Sequence, residues 1–220
     1  LNNMTKEAEL NQMSSSLHAQ TELIEEFITH QEDLLIGFGK ATAVRDYLKS
    51  PENEYKRKVA QAYTEEFYAG LEQWEGLYLA ELDTHIITHS NPATVGLITR
   101  TGEPLQQLLH ELETSERLYN AGMIVSPATG RLMVSMYCPV YDEDGTTMVG
   151  YVGGGAFFEG LETLLNSLKA GTESTNRYCM INVETGTYIF CEDEALMTKE
   201  ITDTMLLEVI SKIKADTSKT

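Results

Sequence analysis

At 220 residues with 42% hydrophobic content, the chain is long enough to bury a core and has the composition of a folded domain rather than a disordered segment. Its 16 Lys and Arg against 34 Asp and Glu leave a net charge of −18, which argues against nucleic acid and anionic lipid as partners because both need a basic footprint; the acidic excess otherwise serves to keep a surface soluble. No run approaches the ~18 apolar residues of a membrane span, no leader pattern is evident, and the opening at Leu1 without a start methionine reads as an excised fragment.

From Asn3 to about Leu48 the pattern is helical, with Leu10, Met13, Leu17, Ile24, Ile28, Leu35 and Phe38 spaced by threes, fours and sevens. A single helix of that length runs on the order of 60 Å; Gly37 and Gly39 in "IGFGK" allow instead two helices with a break. In either form the stripe needs cover, from the rest of the domain along its C-terminal part and from a second copy of the chain near its N-terminus. A second helix follows in "SPENEYKRKVAQAYTEEFYAGLEQW", with Ser50 as N-cap, Pro51 in the first turn and a stop at Gly70 or Gly76. Trp74, the only tryptophan, falls at its end and is expected in the core.

Beyond Gly76 the period changes to 2, and "GLYLAELDTHIITHSNP" reads as a hairpin turning at Asp83 and Thr84. "EPLQQLLHELETSERLY" is an amphipathic helix with Leu105, Leu108, Leu109 and Leu112 on one side. Three strands come next, "AGMIVS", "RLMVSMYCPVY" and "TMVGYVGGGAF", joined by the turn sequences "PATG" and "DEDG". The short helix "EGLETLLNSLKA" closes the unit. The order describes an α+β domain, a five-stranded antiparallel sheet with helices on its faces. "CMINVETGTYIFCEDEALMTKEI" then repeats the hairpin and loop at a shift of 101 residues, and "DTMLLEVISKIKA" supplies the following helix, so the chain holds one module and the opening half of another.

Cys138, Cys179 and Cys191 are too few for a disulfide scaffold and lack metal-ligand spacing. Cys179 and Cys191 each lie six residues from Thr185, which sets them opposite one another across a hairpin and makes a bond between them conceivable. His85 and His89 sit four apart, but in a hairpin rather than on a helix. No nucleophile–base motif or phosphate loop occurs, so catalysis is not expected, and neither is a cofactor.

The question the sequence poses is why Gly153, Gly154 and Gly155 end an apolar strand. Glycine there means a close approach to the backbone or a bend in the sheet. Alternation puts Met133, Ser135 and Tyr137 on one face of their strand and Tyr151, Gly153 and Gly155 on one face of the next. As a binding site, the glycines make floor space, the tyrosines flat walls with hydroxyls, and Ser135 a polar contact. As core packing, the same glycines only let the sheet coil. Arg100 and Arg117 are the nearest basic residues, able to fork a carboxylate or to form surface ion pairs.

The long N-terminal helix, "LYLAELDTHIITHSNPATVG" and "CPVYDEDGTTMVGYVGGGAFFEGLETLL" together resemble a Cache domain, the PAS-like extracellular sensor of bacterial chemoreceptors, histidine kinases and cyclic-dinucleotide enzymes. "HSNPATVGLITR" and "SPATGRLMVSMYCPVYDEDG" are most similar to clostridial methyl-accepting chemotaxis receptors. The resemblance spans nearly the whole chain. It implies a helical stalk over 1–75, a membrane-distal PAS-like module over 76–170 that holds a small-molecule pocket, and a partial membrane-proximal module over 171–220, in a protein anchored in the membrane by flanking helices. In amino-acid-sensing members an aspartate of the last strand anchors the ligand amine; "YVGGGAF" places Gly155 there, and burying an ammonium unpaired costs several kcal/mol. The family's carboxylate-binding signature is reduced to Arg117 and Tyr119 in "SERLYNAG". The implied ligand is therefore a small carboxylate such as lactate, or a planar nucleobase, more than an amino acid, with Arg100, Arg117, Tyr119, Ser135, Tyr137, Tyr151, Gly153 and Gly155 as its candidate contacts.

Overall fold

The computed structural model describes residues 2–169, 179–191 and 193–216. The chain divides into two compact units, Leu1–Lys169 and Ala170–Thr220.

In the first unit, α1 (Asn2–Gly39) is followed after one residue pair by α2 (Thr42–Leu48) and then by α3 (Glu54–Ala69). At 38 residues, α1 is about 57 Å long. The break falls at Gly39, whose close seat against Val152 of the sheet leaves little room for a side chain. The N-cap of α3 is Asn53, not Ser50: the Asn53 side chain accepts from the Lys56 amide at 3.0 Å, satisfying a first-turn donor, while the Ser50 hydroxyl accepts from the Lys56 ammonium.

The sheet is built from β1 (Trp74–Ala80), β2 (Ile86–His89), β3 (Tyr119–Val125), β4 (Leu132–Tyr141) and β5 (Met148–Phe157), in the order β2-β1-β5-β4-β3 with every pair antiparallel. Between β2 and β3 stands α4 (Gly102–Thr114), and α5 (Glu159–Lys169) follows β5; the closing helix was expected to reach Ala170, which lies outside the described residues. Trp74 opens β1 opposite Ala156 rather than ending a helix.

Alternation along these strands makes two faces. On one, Leu77, Leu79, Val134, Met136, Cys138, Val140, Val152 and Ala156 pack against Leu35 and Phe38 of α1 and Val44, Tyr47 and Leu48 of α2. Each of the Leu, Val, Met and Phe side chains among these, fully buried, contributes roughly 1.5–3 kcal/mol. Trp74 is buried here as expected, and its indole N–H donates to the buried Gln31 of α1 at 2.8 Å. The other face carries Tyr78, Tyr137 and Tyr151 under Leu108 and Leu112 of α4. Leu10, Met13 and Leu17, by contrast, stay exposed along the N-terminal half of α1.

The second unit contains β6 (Cys179–Asn182), β7 (Thr187–Cys191) and α6 (Thr204–Asp216). Its backbone repeats the first unit at an offset of 102 residues, one more than side-chain similarity gave. The Ile86 amide donates to the Leu97 carbonyl and the Gly96 amide to the Ile86 carbonyl; Tyr188 does the same with Lys199 and Thr198. Asn91 and Asp193 cap matching turns, α4 and α6 begin and end in step, and Leu108 and Ile210 are the buried residues at equivalent places. Cys179 and Cys191 are direct register partners, both as free thiols.

Candidate functional site

Gly153 of β5 lies between Tyr78 of β1 and Tyr137 of β4 in the ladder, and Gly155 between Gly76 and Ser135. This register answers the glycine question. A Cβ at Gly153 would overlap the Tyr78 ring, one at Gly155 the Met133 methyl, and one at Gly154, on the opposite face, would lie 2.5 Å from the Trp74 ring. The expected bare floor at Gly153 and Gly155 is therefore covered by the protein's own Tyr78 and Met133. Three tyrosines in adjacent strands can lie over one face because the position between two of them has no side chain.

Above that floor is an aromatic row. Tyr119 stacks on Tyr137 with centroids 5.9 Å apart, Tyr137 meets Tyr151 edge-on at 6.1 Å, Tyr151 meets Tyr78 at 6.3 Å, and Tyr78 stacks on His89 at 5.6 Å. Tyr151 is fully enclosed, at 0% exposure, and its hydroxyl makes no hydrogen bond of normal geometry. Burial pushes its ionisation well above the usual tyrosine range, with the Thr99 side chain working against that and Asp83 adding to it. Tyr78 is raised by burial in the same way, and Tyr119 by burial together with Glu111 of α4.

Arg100 closes the row. Its guanidinium donates to the Tyr137 hydroxyl at 2.8 Å and lies 5.0 Å from the centre of the same ring; Ser135 donates to that hydroxyl at 3.1 Å. Among the described residues no carboxylate pairs with Arg100. Its backbone is clamped by Thr84, whose hydroxyl accepts from the Arg100 amide at 2.9 Å and donates to its carbonyl at 3.0 Å. Thr84 is fully buried at φ 66, a conformation that is costly for a β-branched residue. The equivalent residue of the second unit, Gly186, adopts the same φ at no such cost, and has no hydroxyl to make the two bonds that Thr84 makes to Arg100.

The structure thus brings together Arg100, Tyr119, Ser135, Tyr137 and Tyr151, with Gly153 and Gly155 beneath Tyr78 and Met133. It does not bring Arg117 to them. Arg117 pairs with Asp33 at 2.5 Å and Glu32 at 3.7 Å on α1, and its carbonyl faces the Cys138 thiol on the helix side of the sheet. The two histidines are engaged separately, the His85 Nδ1 with Glu81 and the His89 Nδ1 as acceptor from the Asn91 amide at 2.8 Å. Sequence reasoning missed Tyr78, Thr84 and the nearby carboxylates Asp83 and Glu111. Tyr78 alternates with Ala80 in "LYLAEL", a signal that was present, but only the register places it over Gly153.

No family model and no curated protein matches the chain. Solved structures do. The sensor domain of the Vibrio cholerae histidine kinase DctB aligns with 93% of this chain and 75% of its own, at TM-score 0.69 and 15% identity. The sensory domain of the Campylobacter jejuni chemoreceptor Tlp3, solved with isoleucine bound, aligns with 93% and 79% at TM-score 0.65 and 10% identity. The ligand-binding domain of the Pseudomonas fluorescens chemoreceptor CtaA, in complex with L-alanine, aligns with 86% and 75% at 0.57 and 18%. The chain has the fold of these sensory domains. The α+β architecture expected from the sequence, a long helix on a five-stranded antiparallel sheet, is the one these domains share.

Proposed function

We propose that this Cache-type chain is the extracellular sensor domain of a bacterial chemoreceptor and that a small organic anion binds over the tyrosine row. The observation that carries the reading is Arg100, a cation held by a strained threonine over an aromatic ring, with no carboxylate partner among the described residues of a chain with net charge −18. A ligand carboxylate, or the carbonyl edge of a nucleobase, would complete its donors, and Tyr78, Tyr119 and Tyr137 would flank a flat body. At the place where amino-acid sensors of this type resemble one another in carrying an aspartate, the chain has Gly155, so an α-ammonium finds no anchor there. The resemblance of "HSNPATVGLITR" to chemotaxis receptors favours that output over a kinase. Leu10, Met13 and Leu17, exposed on α1, support a homodimer through the N-terminal helix, and α1 is the element placed to carry a shift to the membrane.

A second reading, a module with no ligand, rests on one observation: Tyr78 and Met133 fill the room above Gly153 and Gly155. Thermal-shift screening of the wild-type chain and Arg100→Gln against lactate and other small carboxylates, nucleobases and amino acids separates the two. A true ligand at a hundredfold excess over Kd stabilises by about 2.7 kcal/mol, a rise of roughly 5–10 °C in Tm for a chain of this size, and the rise should vanish in Arg100→Gln. A panel silent throughout supports the ligand-free module.

A further inference from the structure

The helix side of the sheet has a cavity of about 370 Å³, whose lining includes Lys40 at the α1–α2 break, Arg45 of α2, Arg117, Glu116 and Asp142. Three of the chain's 16 basic residues converge there. The carboxylates do not neutralise them evenly. Asp142 is taken by Lys49 at 2.7 Å, and Arg117 is held from outside by Asp33 and Glu32. Lys40 has no ion-pair partner among the described residues. Arg45 comes no closer than 3.8 Å to Glu143, through its Nε, and that buried Nε has no hydrogen bond, a donor that a bound oxyanion would satisfy. The volume lies at the small end of ligand sites.

We propose that this cavity is a second binding site, for a small multivalent oxyanion such as a carboxylate or phosphate, held between Lys40 and Arg45 with Arg117 at its edge. Its position gives it a role distinct from the tyrosine face. Cys138, Pro139 and Val140 of β4 form one wall, while Ser135 and Tyr137 of the same strand face the other side. The opposite wall is the last turn of α1, with Ile36 and Gly39. An anion here would tie the α1–α2 joint to β4 and so bias the strand that presents Tyr137, acting as a modulator of the site across the sheet.

Citrate and inorganic phosphate are the probes, titrated calorimetrically into the whole chain at ionic strength matched with chloride, with amide chemical shifts recorded in parallel. Binding of either should perturb Ile36, Gly39, Lys40 and Arg45 together with Ser115 and Glu116, and should weaken at least about tenfold in Lys40→Gln, since one charged hydrogen bond is worth about 1.5–3 kcal/mol. Lys40 is exposed, so this variant leaves the fold intact; Arg45→Gln is the second test, read with its circular dichroism. Arg100→Gln should leave the binding unchanged, which separates this site from the tyrosine face. Citrate alone marks the site as carboxylate-specific and phosphate alone as phosphoryl-specific. No binding of either, or binding equally strong in Lys40→Gln and Arg45→Gln, overturns the proposal.

Discussion

Gly154→Ala is the sharpest test of how the triple glycine works. The new methyl group would sit 2.5 Å from one Trp74 ring carbon, 3.1 Å from another and 3.0 Å from the Gly76 carbonyl oxygen. Neither neighbour can yield cheaply. Gly76 is in the ladder opposite Gly155, and Trp74 is 4% exposed with its N–H committed to Gln31. Overpacking of a tight core costs about 1–3 kcal/mol, and displacing the indole forfeits a hydrogen bond worth about 1 kcal/mol. Reduced freedom of the unfolded chain returns about 0.4–1 kcal/mol. The net is a loss of roughly 2 kcal/mol, or about 4–8 °C in Tm. Gly155→Ala is the internal control, because its methyl meets the end of the flexible Met133 side chain, which can turn aside, so its loss should be the smaller. Trp74 is the sole tryptophan, and urea unfolding followed by its fluorescence reads the affected contact directly. A Gly154→Ala chain as stable as wild type, or one more stable than Gly155→Ala, would refute the close-approach reasoning.

His89 has its pKa lowered from the ordinary 6.5 by burial, against the pull of Glu75, and its Nδ1 must stay unprotonated to accept from Asn91. The unfolded chain therefore binds more protons below pH 6.5, and the neutral ring's contribution, complete above that pH, is lost as pH falls through it; His89→Gln should flatten the stability profile between pH 7.5 and 5.5, and an unchanged slope contradicts this. Diamide should remove two thiols and link Cys179 to Cys191, the two hydrogens passing to the reagent, since the pair are register partners; Cys138, buried and with its thiol pushed up to about 11, should remain free, and a peptide map linking Cys138 instead would be the contrary result. Leu17→Glu, on the exposed stripe of α1, should shift sedimentation from dimer to monomer without altering circular dichroism; equal sedimentation of both chains removes the N-terminal helix from the interface.

Strands and turns were legible because period-2 alternation and sequences such as "DEDG" leave few other readings. The repeat was legible too, but one residue out: similarity of side chains aligned Cys191 with Ser90, whereas paired backbone bonds align Cys191 with His89. The start of β1 was misplaced because "LEQWEG" carries no alternation of its own, and only pairing with Ala156 makes Trp74 a strand residue. At the site, the glycines signalled either a close approach or a bend of the sheet, and the approach is by the protein's own Tyr78, Met133 and Trp74 rather than over an open floor. What approaches them depends on register across three strands, which the sequence does not spell out, and so Tyr78 was overlooked. Arg100 and Arg117 looked alike as charges near a pocket; the fold sends one to each face of the sheet, because Arg117 precedes β3 on the side where α1 offers Asp33 and Glu32. Thr84 gave no signal, since its value lies in a backbone clamp on a residue 16 positions away.

The most direct measurement is a crystal structure of the chain soaked with the carboxylate or nucleobase that gives the largest thermal shift. The account predicts density against the Arg100 guanidinium and the Tyr137 ring, within hydrogen-bonding reach of the Tyr151 hydroxyl, with Tyr78 and Met133 swung off Gly153 and Gly155. Density elsewhere, with Tyr78 and Met133 still seated on the glycines, would contradict it.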